Sequence, residues 1–271
     1  MLKLISGDIT VNGIKIHYYR TGGDKPPIVL AHGITDNGLC WIPLAEVLAE
    51  NYDVVMFDAR GHGLSETNPP DFTIQSHAAD LAGLIEKLDL EQPVIIGHSM
   101  GAGNTAQAAA AYPDLARAII LEDPPWGIEA PNANREAALD DWRAGIVEQK
   151  SQTLAEIINT GKEQNPRWAM VNWGAWAEAK HQVNPDVLNW GRSKTFFTGW
   201  QEFVSQIKCP ILLITGDPEL GAIVKPEIAQ TVVDLSDRVE VAHIDGVGHS
   251  IRREDFEEYV SLIGPFLRRV F

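Results

Sequence analysis

Pro93-Val94-Ile95-Ile96-Gly97-His98-Ser99-Met100-Gly101-Ala102-Gly103 passes from an apolar, β-branched run into a helix signal that continues to Ala111. A serine therefore stands at the turn between a strand and a helix. Such a turn is so tight that the residues two before and two after the serine must be glycine or very small, and Gly97 and Gly101 satisfy this. The helix N-terminus behind the serine favours developing negative charge. Ser99 is thus a candidate nucleophile, and the alanine run after it allows a helix to lie close against a sheet.

Working outward, an earlier apolar run, Pro27-Ile28-Val29-Leu30-Ala31, ends in His32-Gly33-Ile34. Another strand-like stretch, Arg238 to Ile244, is followed by Gly246-Val247-Gly248-His249-Ser250. A serine hydroxyl needs an imidazole to take its proton and a buried carboxylate to orient that imidazole. His249 is the candidate base; His17, His32, His62, His77, His181 and His243 fall in turn, strand, helix or insertion patterns, and His98 lies within the serine turn itself.

With Asp58-Ala59-Arg60-Gly61-His62-Gly63-Leu64-Ser65 after the strand Tyr52 to Phe57, these motifs give a chain that resembles the α/β-hydrolase superfamily from about Ile14 onward. The resemblance implies an oxyanion hole made of the Ile34 and Met100 amides, and a substrate pocket to which Gly33, His98 and Trp126 contribute. It leaves the acid open. Most members carry it after the seventh strand, which here means Glu219 or Asp217. Fluoroacetate dehalogenases, a haloalkane dehalogenase subgroup and zearalenone lactonases place it at the end of the sixth, which here means Asp123. We favour Asp123, because a carboxylate at a strand end can be held rigidly. A serine at the elbow, with an aliphatic residue after His32-Gly33, argues against dehalogenation and epoxide hydrolysis, whose enzymes use an aspartate nucleophile.

The wider pattern agrees with an α/β fold: an eight-stranded, mostly parallel sheet with a helical cap inserted after the sixth strand. Strands are expected near 3–11, 14–21, 27–32, 53–58, 93–98, 117–122, 210–215 and 238–244, the first two forming an antiparallel entry around Asn12-Gly13. Helices are expected near 41–50, 74–89, 100–111 and 254–269. Residues 1–123 and 204–271 form the core domain and 124–203 the cap, with helical segments at Asn134 to Gln149, Thr153 to Gln164 and Asn165 to Gln182. Seven of the eight tryptophans fall in the cap; most should pack it, and a few should line an apolar pocket beneath it.

A hydrophobic content of 45% over 271 residues supports a large buried core. A net charge of −15 disfavours nucleic acid, anionic membranes and polyanionic substrates, so a neutral or apolar small molecule is expected. The two cysteines, Cys40 and Cys209, are isolated, which disfavours a zinc site or a disulfide. With no signal-peptide pattern and no membrane-length run, we expect a cytoplasmic monomer or homodimer without metal or cofactor. The leading expectation is a serine hydrolase that cleaves an ester or lactone of an apolar or aromatic molecule through an acyl-enzyme. The alternatives are a carbon–carbon hydrolase of aromatic ring-cleavage products and a slow-turnover ligand receptor of the same fold.

Overall fold

The computed structural model describes residues 2–128, 133–192 and 199–271. Strands β1 (Ile5–Val11), β2 (Ile14–Arg20), β3 (Pro27–Ala31), β4 (Asp53–Phe57), β5 (Val94–His98), β6 (Ala118–Glu122), β7 (Ile211–Thr215) and β8 (Val239–His243) form one sheet in the order β1-β2-β4-β3-β5-β6-β7-β8. Asn12 and Gly13 both take positive φ, 50° and 78°, the twist a two-residue hairpin turn requires, so β1 and β2 pair antiparallel. The pairing of β2 with β4 is also antiparallel; every pairing from β4 across to β8 is parallel. This is the sheet expected from the sequence.

The central strands β3 to β7 are buried at every position except the half-buried Pro27, as strands covered on both faces must be. Their side chains divide by parity. Val29, Val55, Ile95, Ile119 and Ile211 point into one apolar core, and Ile28, Val54, Ile96, Ile120 and Leu212 into the other. The second core is covered by helices α1 (Ile42–Leu48) and α10 (Phe256–Val270); the first by α2 (Ile74–Lys87), α3 (Met100–Ala111), α7 (Trp200–Gln206) and α8 (Pro226–Leu235).

Between β6 and β7 the chain builds α4 (Ala133–Gln149), α5 (Leu154–Gln164), α6 (Trp173–Gln182) and a 3₁₀ segment, Pro185–Arg192. Residues 129–132 and 193–198 of the expected cap lie outside the described residues. The insertion's apolar contacts with the core include Ile157, Trp176 and Ala177 around Cys40, Ile146, Val183 and Val187 beside Ile34 and Phe72, and Trp190 in the first core. Residues 165–172 are not the helix expected there: α6 starts only at Trp173, capped by Asn172, whose side chain accepts from the Ala175 amide, and the Ala169 and Met170 amides donate to the Arg253 carbonyl. Helix α7 runs across positions 203 and 204, and its Trp200, Phe203 and Val204 pack into the first core. A short helix α9 (Ile251–Glu254) follows the candidate base. No helix among the described residues is long and apolar enough to cross a membrane.

Candidate active site

Ser99 joins β5 to α3 with φ 53° and ψ −117°, a conformation that L-residues rarely adopt. The turn survives because its neighbours lack side chains. A Cβ at Gly97 would lie 2.5 Å from the Gly101 carbonyl oxygen, and one at Gly101 2.2 Å from that of Ala31. The Ser99 amide is anchored to the Glu122 carbonyl at 2.9 Å, which fixes the serine's height above β6.

His249 follows β8 in a loop whose Gly248 amide donates to Glu254 Oε2 at 3.1 Å. Its Nε2 accepts from the Ser99 hydroxyl at 3.0 Å and its Nδ1 donates to Asp123 Oδ2 at 2.6 Å. Asp123 is fully buried at the end of β6 with φ 42°, and its carboxylate also accepts from the Ile223 and Val224 amides at 2.8 and 2.9 Å. Of the three carboxylates considered from the sequence, Asp123 meets the imidazole. Asp217 is bonded instead to His243 at 3.0 Å and to the Gly246 amide at 2.7 Å, and Glu219 sits exposed in the turn Pro218–Leu220.

Met100 is the first residue of α3, so its amide has no acceptor inside the helix. Ile34, Gly33, His98, Ser99 and His249 together line a cavity of about 290 Å³. The buried His98 imidazole donates from Nε2 to the His249 carbonyl at 3.0 Å, and burial holds it neutral, well below the ordinary histidine pKa. Trp126 does not reach this cavity. It is fully buried in the first core, its indole stacked on that of Trp200 at 5.2 Å.

Most of the cavity's lining is apolar, as anticipated from the tryptophans. Trp142, Trp168 and Trp176 line it, but beside them stand Thr35, Asp36, Gln149, Lys180, Ser250 and Arg253. Whole-chain charge says nothing about how a few buried charges are arranged. Lys180 Nζ donates to the Thr35 carbonyl and hydroxyl at 2.8 and 2.9 Å, holding Thr35 at φ 65° next to Ile34. Arg253 Nη2 donates to Asp36 Oδ2 at 2.8 Å. Burial alone would raise the Asp36 carboxyl, but the Arg253 and Lys180 charges outweigh it and hold it far below the usual carboxylate range. These residues escape sequence reading because Lys180 looks like a surface charge on an alanine-rich helix and Arg253 like part of an ordinary basic pair.

A family model described as the alpha/beta hydrolase fold matches residues 26–252. The chain belongs to that family. Over 266 residues and 96% of both chains, this hydrolase is 27% identical to N-formylmaleamate deformylase of Pseudomonas putida. It is 38% identical over 117 residues to 2-(acetamidomethylene)succinate hydrolase of Mesorhizobium japonicum, a match that spans 43% of this chain and 40% of that protein. The crystal structure of an N-formylmaleamic acid deformylase from Pseudomonas putida S16 superposes with a TM-score of 0.80, covering 96% of this hydrolase and all of that chain at 24% identity, a likeness of fold.

Proposed function

We propose that this hydrolase removes a small acyl group from nitrogen in a compact unsaturated acid, through an acyl-enzyme on Ser99. The observation that carries the reading is the bonded series Ser99–His249–Asp123 opening on a cavity of about 290 Å³, at the lower end of the range for small-molecule sites. Similarity along nearly the whole chain to a deformylase supports the bond type. Of the readings taken from the sequence, the alternative to ester or lactone hydrolysis has the better support, with the scissile bond now carbon–nitrogen rather than carbon–carbon, because the similar proteins are named for N-formyl and acetamido compounds.

In this mechanism the Ser99 hydroxyl gives its proton to His249 Nε2 as its oxygen attacks the acyl carbonyl. Asp123 keeps Nδ1 protonated and stabilises the imidazolium. The oxyanion faces the Ile34 and Met100 amides, each such donor being worth about 2.7 to 4 kcal/mol of barrier. Collapse breaks the carbon–nitrogen bond as His249 returns the proton to nitrogen. Water, deprotonated by His249, then releases the acyl group as formate or acetate and restores Ser99.

The test is release of formate from N-formylmaleamate and of acetate from 2-(acetamidomethylene)succinate, with p-nitrophenyl acetate beside them. We expect multiple turnover on an acyl-nitrogen substrate, and a loss on the order of 10⁶-fold in Ser99→Ala. Turnover of the ester alone would return the reading to an esterase, and saturable binding without turnover would favour a receptor.

A further inference from the structure

We infer that a carboxylate of the substrate is held between Arg253 and Lys180 on the wall of the Ser99 cavity. Three charged side chains there, Asp36, Lys180 and Arg253, are each more than nine-tenths buried, at 4%, 7% and 5% exposure. Arg253 is 2.8 Å and Lys180 3.7 Å from Asp36, so two cations share one carboxylate. The other acids close by are engaged elsewhere. Glu122 accepts from the Arg252 amide and guanidinium at 3.0 and 2.9 Å, one charge for one; Glu254 pairs with Arg167 at 2.7 Å; and Asp123, outside the cavity lining, is taken up by His249 and two backbone amides. The groups facing the cavity therefore carry a surplus positive charge in a place with little water to screen it, an arrangement that is costly until an anion arrives.

Both cationic heads are braced for such a guest. The Arg253 guanidinium lies 4.6 Å from the centre of the Trp168 ring, and Lys180 Nζ 4.6 Å from that of Trp176. Asp36 takes one donor of the guanidinium, at Nη2, and Thr35 takes two of the three ammonium donors, so both side chains are tethered away from water. Burial draws Lys180 below its ordinary pKa while Asp36 opposes, and a second carboxylate would reinforce the charged form. In the reaction, an acid group docked here would set the distance from the acyl carbon to Ser99.

The identity of the substrate rests on the acyl-nitrogen reading above; the anion site rests on this geometry. The experiment separates the two by using Ser99→Ala, which binds but does not turn over, and titrating it calorimetrically with maleate and with neutral maleamide. Maleate is expected to bind about tenfold or more tightly than maleamide, and Lys180→Met, which leaves a matched Arg253–Asp36 pair, to weaken maleate by about tenfold without weakening maleamide. Lys180→Arg should restore the preference. Arg253→Lys, which keeps the charge and loses the fork, serves as a second variant if thermal melts show Lys180→Met unfolded; it too should weaken maleate selectively. Absence of maleate binding, equal affinity for the two probes, or unchanged maleate affinity in the folded variants would overturn the site. Failure of acyl-nitrogen turnover with the anion preference intact would instead overturn the reaction and leave the site standing.

Discussion

Asp123 accepts from three N–H groups, those of His249, Ile223 and Val224, and no arrangement of an amide side chain can answer all three. An asparagine must turn its NH₂ either to the Val224 amide or to the Ile223 amide and His249 Nδ1, and the second orientation holds the imidazole in the wrong tautomer. Asp123→Asn is therefore expected to lower kcat by about 10⁴-fold, while Asp217→Asn, tied to His243, stays within about threefold of the parent. Steady-state kinetics of the two variants decides it, and similar losses in both would remove Asp123 from its role. Ser99 and His249 were legible as candidates because a tight turn and a Gly-flanked histidine leave local traces in the chain. Asp123 was legible only as one of three carboxylates, since which of them meets residue 249 is a fact of tertiary packing. Lys180 and Arg253 left no trace at all: a buried charge and a solvated one are spelled alike. Trp126 was misplaced for the related reason that an indole bound for a core and one bound for a pocket read the same.

At the scale of elements, the candidate acid and base are joined twice. Beside the Asp123–His249 bond, Glu122 grips Arg252 through both its amide and its guanidinium, and that guanidinium lies 3.8 Å from the centre of the Trp41 ring. This pair, fully buried, clamps the end of β6 to the start of α9 and so spaces the two catalytic candidates without touching the cavity. Removing one partner strands the other: Glu122→Ala should lower the unfolding free energy by about 3 to 5 kcal/mol, read from urea denaturation. A cost below about 1 kcal/mol would show that solvent reaches Arg252 and that the clamp is unimportant. Strand positions could be read because buried parallel strands are unbroken apolar runs. Helix α8 was not anticipated, and the stretch 165–172 was expected to be helical, because what shapes each is contact with distant parts of the chain: the Asp123 carboxylate on the loop before α8, and the Arg253 carbonyl on Ala169 and Met170.

For the whole molecule, four buried histidines set the response to acid. Burial holds His32, His62, His77 and His98 below their ordinary pKa, His62 at about 3. Each is neutral when folded and takes up a proton near about pH 6.5 when unfolded. The unfolded chain thus binds more protons below that pH. The stabilisation is complete above about pH 6.5 and is lost as pH falls towards the folded values, at up to about 1.4 kcal/mol per pH unit for each group. Urea midpoints should drop between about pH 7 and pH 5, and more gently in His62→Asn, whose amide can still donate to the Arg60 carbonyl as Nδ1 does. A flat profile would mean that these rings carry charge in the folded protein. The parts of the site also have different origins. Ser99, Asp123 and His249 come from the ends of the sheet, while Trp168, Trp176 and Lys180 come from the insertion between β6 and β7. Arg253 and Asp36 stay with the reactive trio while Lys180 and its tryptophans travel with the insertion, so a recombination at the two junctions would keep one cation of the cavity and hand the same serine a new clientele for the rest.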